Sequence, residues 1–172
     1  AIFGKAIGNG YAITSILGKR KVMETAQNSF ISSTFWTERI GPTAALATLK
    51  VMKKEESWKI ITNIGKNVKV GWKQLANKHN LKINISGLDP IPNFSFANDN
   101  DPYYQAFLTQ EMLKKNYLAI SNIFICTSHT KHIISKYFRS LDKVFKVIKD
   151  HEDEKVNIKN KIGLYLIRDL RG

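Results

Sequence analysis

Lys5 closes the short apolar run "AIFG" and is followed at once by a turn containing Gly8 and Gly10, within "AIFGKAIGNGYAITSILGKRKVM". A lysine amine becomes a nucleophile when burial or a nearby cation lowers its pKa, which suits Schiff-base chemistry. Glycines beside it let backbone approach a flat or phosphorylated ligand closely. Further on, "SSTFW" places Ser33 and Thr34 before an Ala/Leu-rich segment. A threonine hydroxyl just ahead of a helix N-terminus is a good phosphate site. Amine and phosphate site together are what pyridoxal phosphate requires. A plainer reading stands beside this one: Lys5 ends a strand at the surface, and Ser33 and Thr34 cap a helix.

The other reactive types suggest less. "GNGYAI" lacks the third glycine of the dinucleotide fingerprint, and neither a G-x-x-x-x-G-K-[ST] loop nor a G-x-S-x-G elbow occurs. His129 and His132 stand three apart without Cys or carboxylate companions at metal spacing, so capping or surface roles are favoured over a metal site. Cys126, the single cysteine, lies in "NIFICTS" and reads as a small buried hydrophobe. A disulfide framework is therefore impossible, and a reducing, cytoplasmic setting is expected.

The charge is strongly basic, with 27 Lys and Arg against 14 Asp and Glu. The lysines are spread over several amphipathic segments rather than gathered in one stripe, which is the pattern of solvated helix faces more than of a nucleic-acid interface. No apolar stretch reaches the length of a membrane span, and no signal peptide is visible, so neither membrane nor nucleic acid is an expected partner. The chain opens without methionine in what reads as a strand, so further sequence is expected upstream.

These residues need elements to position them. Residues 1–4 read as a strand end, 11–18 as a second strand, and 19–27 as a short helix. Pro42 suits the first turn of a helix over "TAALATLKVM". Trp58, Ile61, Ile64, Val68, Trp72 and Leu75 recur at helical steps, with a possible break at Gly65 or Gly71. "LKINIS" and "NFSFA" read as strands around the turn cluster "GLDPIP". Asp101 and Pro102 form a cap and first-turn pair for the next helix. "YLAI" and "IFICT" read as short strands, and Thr130 caps a last helix whose apolar face runs from Ile133 to Ile148. The order after residue 55 is that of an α+β layer.

"FGKAIGNGYAITSILGKRKVM" resembles the cofactor-lysine segment of class III pyridoxal-phosphate-dependent aminotransferases. "ISSTFWTERIGPTAALATLKVM" is similar to the next segment in the branch that contains glutamate-1-semialdehyde aminomutase, and "NYLAISNIFICTSHTKHIISKYF" to the family's small domain. The resemblance implies the C-terminal part of a fold type I transferase of mixed α/β and α+β class. Residues 1–54 would end the large cofactor domain, 55–150 would form the small α+β domain, and 151–172 a charged tail of uncertain structure. It further implies pyridoxal 5'-phosphate held by Lys5, which would also move the substrate proton, with Gly8 and Gly10 shaping the adjoining turn. Thr34 would bind the phosphate across a homodimer interface, and the substrates would be a small-molecule amino donor and a carbonyl acceptor. The branch's glutamate before the "His-Thr" turn is missing from "SNIFICTSHT", which favours an aminotransferase over an aminomutase. Arg39 and Arg139 are available for a substrate carboxylate or for surface roles. The acid and the aromatic that serve the cofactor ring would lie before Lys5, so these residues alone would have little activity. A non-catalytic basic binding module, with Lys5 exposed and replaceable, is the other class of reading.

Overall fold

The computed structural model describes residues 1–31 and 33–163. They form two compact units that divide after Ser57.

In the first unit, β1 (Ile2–Phe3) pairs antiparallel with β2 (Ser15–Ile16), Ile2 opposite Ile16 and Phe3 opposite Ser15. The strand expected over 11–18 is only these two residues: Tyr11 still belongs to the bend after the glycine turn, and residues 12–14 and 17–18 are irregular. Nor is β1 buried: Ile2 is 73% exposed and Phe3 47%. The helix expected over 19–27 is one α-turn, α1 (Arg20–Met23), tightening into a 3-10 segment at Glu24–Asn28. Helix α2 spans Ile40–Glu55, with Pro42 in its first turn, where a missing N–H leaves no bond unmade. Glu56, in the left-handed conformation, ends it by donating its N–H to the Met52 carbonyl.

The second unit holds the entire buried hydrophobic cluster. Helix α3 (Ser57–Lys78) runs unbroken through Gly65 and Gly71. Those glycines serve packing instead: a Cβ at 65 would stand 1.7 Å from the Asp89 carbonyl oxygen, and one at 71 would stand 2.3 Å from the Phe138 ring. The hairpin β3 (Ile83–Leu88) and β4 (Ile91–Phe96) presents Pro92, Phe94 and Phe96 to the core by simple alternation. Helix α4 is Asp101–Leu113, and the amphipathic α5 is Lys131–Glu152. Thr130 caps α5 by accepting the Ile133 N–H at 3.4 Å, as the sequence suggests. Asp101 is not the cap of α4: Asn100 holds that position, and the Asp101 carboxylate turns back to accept the Phe96 N–H.

Two expected strands do not form. Residues 117–120 are irregular, with Leu118 94% exposed. Residues 121–125 do lie antiparallel to β4, since Ser121 accepts from Phe94 N, and Ile123 N and Ile125 N donate to the Pro92 and Pro90 carbonyls. Only the Asn93–Asn122 bridge counts as ladder, because Pro90 and Pro92 have no N–H to give back. The segment expected as an uncertain tail from 151 is in part well packed. Residues 151–152 finish α5, Ile158 and Ile162 are buried, and Gln110 binds the Lys161 carbonyl and the Gly163 N–H, each at 2.8 Å. Residues 164–172 lie outside the described residues.

Candidate active site

The chemistry-bearing turn follows β1 directly. Lys5, Ala6 and Ile7 form a 3-10 turn, closed by Gly8 N to the Lys5 carbonyl at 3.1 Å and Asn9 N to the Ala6 carbonyl at 3.2 Å. Lys5 itself has φ +53°. This left-handed conformation is uncommon for a long side chain and persists only where the surroundings impose it. The surroundings are visible. β1 fixes the chain before Lys5. Gly8 is buried so tightly behind it that an added Cβ would stand 2.1 Å from the Tyr11 carbonyl oxygen and 2.8 Å from the Ile13 side chain. Gly10 has φ +104°, and a Cβ there would meet nothing within 4 Å. Backbone at Gly10 is thus bare, as close approach to a flat or phosphorylated group requires. The Lys5 side chain is exposed and makes no hydrogen bond or ion pair among the described residues. A free amine beside a glycine-walled turn fits the aldehyde of pyridoxal phosphate.

Thr34 lies elsewhere in the same unit, in the turn 34–37, exposed and without a hydrogen bond to the Lys5 turn. It is not at a helix N-terminus. Helix α2 begins at Ile40 with Arg39 at the N-cap, and Glu38, one residue earlier, supplies the capping carboxylate, accepting from Ile40 N and from Gly41 N at 3.0 Å. Ser33 is likewise no helix cap; its hydroxyl accepts the Phe35 N–H at 3.2 Å. The carboxylate two residues ahead of an Ile-Gly-Pro start is a signal the sequence carries and the hydroxyl-centred reading passes over. Arg39 borders an open, mainly apolar groove of about 370 Å³ with Tyr11, Ile40 and Thr43, so it shares a surface with the glycine turn.

In the second unit, Cys126 is exposed, not buried: Ile125 takes the inward position of that extended segment and Cys126 the next, outward one. Its N–H donates to His129 Nδ1 at 3.2 Å, which leaves Nε2 to carry the proton of a neutral ring. His129, Asn122, Ile123, Ile134 and Tyr137 line a hollow of about 400 Å³. Arg139 stands apart from it, on a groove with Lys78 and Asp142.

The folding is that of pyridoxal-phosphate transaminases. The structure of the internal aldimine form of the FumI protein from Sphingopyxis sp. MTA144 superposes on 88% of this chain with a TM-score of 0.79 at 23% identity, using 37% of its own length. In sequence, the pattern of the aminotransferase class-III family matches residues 1–136, and the chain belongs to that family. Family membership indicates pyridoxal phosphate as the cofactor. Relatives include an aminopentol aminotransferase of Sphingopyxis macrogoltabida, 24% identical over 85% of this chain and 35% of its own. Another is a glutamate-1-semialdehyde 2,1-aminomutase of Staphylococcus carnosus, 25% identical over 84% and 38%. The chain thus spans little more than a third of the length of the curated relatives it matches.

Proposed function

We propose that these residues carry the cofactor lysine of a class III aminotransferase, that Lys5 is that lysine, and that the reaction moves an amino group from a small donor to a carbonyl acceptor. The observation that supports this most is the Lys5 backbone: a lysine held left-handed between β1 and a glycine-walled turn, with its amine free. Pyridoxal phosphate, when bound, supplies the electron sink that makes an amine-bearing carbon acidic. Lys5 would supply the amine that holds the cofactor and a base for the proton of that carbon. Gly8 and Gly10 let the chain pass close to the ring, and the Thr34 hydroxyl is the phosphate ligand, offered to the partner's site in a homodimer.

Helix α2 is apolar on several sides, yet only Gly41 and Ala45 of it are buried. A helix of that kind belongs under cover. The working enzyme therefore needs further polypeptide over this unit, and the 172 residues alone are expected to turn over little substrate. The test is amino transfer by the full gene product that contains these residues, with a panel of primary amines and 2-oxo acids. Transfer that vanishes in Lys5→Ala while cofactor-independent folding is kept supports the proposal; undiminished transfer by that variant refutes it.

A second reading, intramolecular transfer by an aminomutase, is supported by the Staphylococcus relative, whose identity and coverage match those of the aminotransferase. Conversion of glutamate 1-semialdehyde without any added acceptor would favour it.

A further inference from the structure

We propose that Gly41 is a positioning residue for Lys5, acting from the first turn of α2 through the backbone at Ala12–Ile13; this rests on Lys5 being the cofactor lysine. A Cβ built on Gly41 would stand 2.6 Å from the Ala12 carbonyl oxygen and 3.2 Å from the Ile13 Cβ. Ile13 in turn closes on Gly8, whose missing Cβ would meet its side chain at 2.8 Å and the Tyr11 carbonyl at 2.1 Å. Gly8 donates its N–H to the Lys5 carbonyl at 3.1 Å. The contacts therefore run Gly41, Ala12–Ile13, Gly8, Lys5, and they end on the one residue of the turn with a long side chain and a positive φ. The Gly41 N–H is fixed by Glu38 at 3.0 Å, so the helix end cannot simply retreat. A left-handed lysine needs this kind of over-determination, since without it the residue relaxes to negative φ and its amine swings away.

Gly41 makes a discriminating test because thermal stability and cofactor binding are read separately. A Cβ at 41 meets backbone at 2.6 Å and precedes Pro42, so a purely structural role predicts a Gly41→Ala protein of lower thermal stability whose cofactor affinity and pH midpoint, measured while it is folded, are unchanged. If Gly41 positions Lys5, the methyl group added by Gly41→Ala must push the Ala12 carbonyl away and loosen the Lys5 turn.

The experiment uses the full gene product that contains these residues, titrated with pyridoxal phosphate. Three quantities are read: the dissociation constant from the visible absorbance, the pH midpoint of that absorbance, and the peptide labelled after borohydride reduction. Gly41→Ala is expected to bind pyridoxal phosphate about tenfold more weakly and to shift the pH midpoint. Lys50→Ala, on the exposed side of α2, is expected to leave both unchanged. Wild-type affinity and pH midpoint in Gly41→Ala, with Lys5 still the labelled residue, would overturn the inference alone. Absence of label on Lys5 in the wild-type protein would overturn the underlying functional reading instead. Should Gly41→Ala fail to fold, Ile13→Ala, which empties the space between Gly41 and Gly8, is expected to weaken binding similarly, and unchanged binding there would refute the proposal.

Discussion

Within the second unit, the bond between Trp72 Nε1 and Tyr137 Oη, 2.9 Å and buried, joins α3 to α5 through the middle of the core. Trp72 is wholly buried and packs against Phe94, the two rings tilted by 56° with centroids 4.8 Å apart, and Phe94 itself meets Phe96 and Phe145. Burial raises the Tyr137 phenol well above its ordinary pKa, so the hydroxyl is neutral at pH 7, and its oxygen accepts the indole N–H. Replacing Tyr137 with Phe keeps the ring and strands the indole N–H without an acceptor. An unsatisfied buried donor costs about 1–3 kcal/mol. For a unit of this size that corresponds to a fall in Tm of roughly 5–15 °C. Trp72→Phe alone loses more, because it also leaves space beside Phe94. In the double variant no donor is stranded, so the two losses are expected to be non-additive by about 1 kcal/mol or more. Urea denaturation of the two single variants, the double variant and the parent gives all four corners. A Tyr137→Phe protein as stable as the parent, with strictly additive losses, would refute the claim that this bond ties the two helices.

Three other outcomes follow from the same geometry. Gly65→Ala is expected to destabilise by about 1–3 kcal/mol, because its Cβ meets the Asp89 backbone carbonyl and must lift the hairpin turn away from Lys69, which bonds Asp89 and the Gly87 carbonyl; denaturant midpoints check it. The Asp142 carboxyl is held below its usual range by Lys78 and then His79; a carboxyl depressed on folding contributes stability that is full above its unfolded pKa of about 4 and fades as pH falls through the lower folded value. Asp142→Asn is therefore expected to be less stable than the parent at pH 7 and closer to it near pH 3, measured by thermal melts at both. Residues 58–163 alone are expected to unfold cooperatively in urea, and residues 1–57 alone to show no cooperative transition, because the whole hydrophobic cluster lies in the former.

The second unit is legible where periodicity speaks for packing. The α3 and α5 stripes, the alternation in "LKINIS" and the Thr130 cap are local patterns that tertiary structure has no reason to override. Misreadings come from partners that lie far off in sequence. Gly65 and Gly71 look like helix breakers until Asp89 and Phe138 are brought against them. "IFICT" reads as a strand, and its neighbour's prolines decide how much ladder it can form. The apolar run around Cys126 suggests burial, whereas its position in the alternation puts it outside. At the site, Lys5 and the glycines are apparent from residue types alone. The left-handed lysine backbone and the reach of the Glu38 carboxylate to the first N–H groups of α2 are not, since both depend on which groups the turns bring within bonding distance.

The most direct test of the proposed chemistry is the location of the cofactor bond. The full gene product containing these residues is saturated with pyridoxal phosphate, reduced with borohydride, digested, and the modified peptide sequenced by mass spectrometry. A single pyridoxyl group on Lys5 is expected. A folded protein that carries the label on another lysine, or carries none with cofactor in excess, would contradict the assignment and leave the left-handed lysine turn without its proposed purpose.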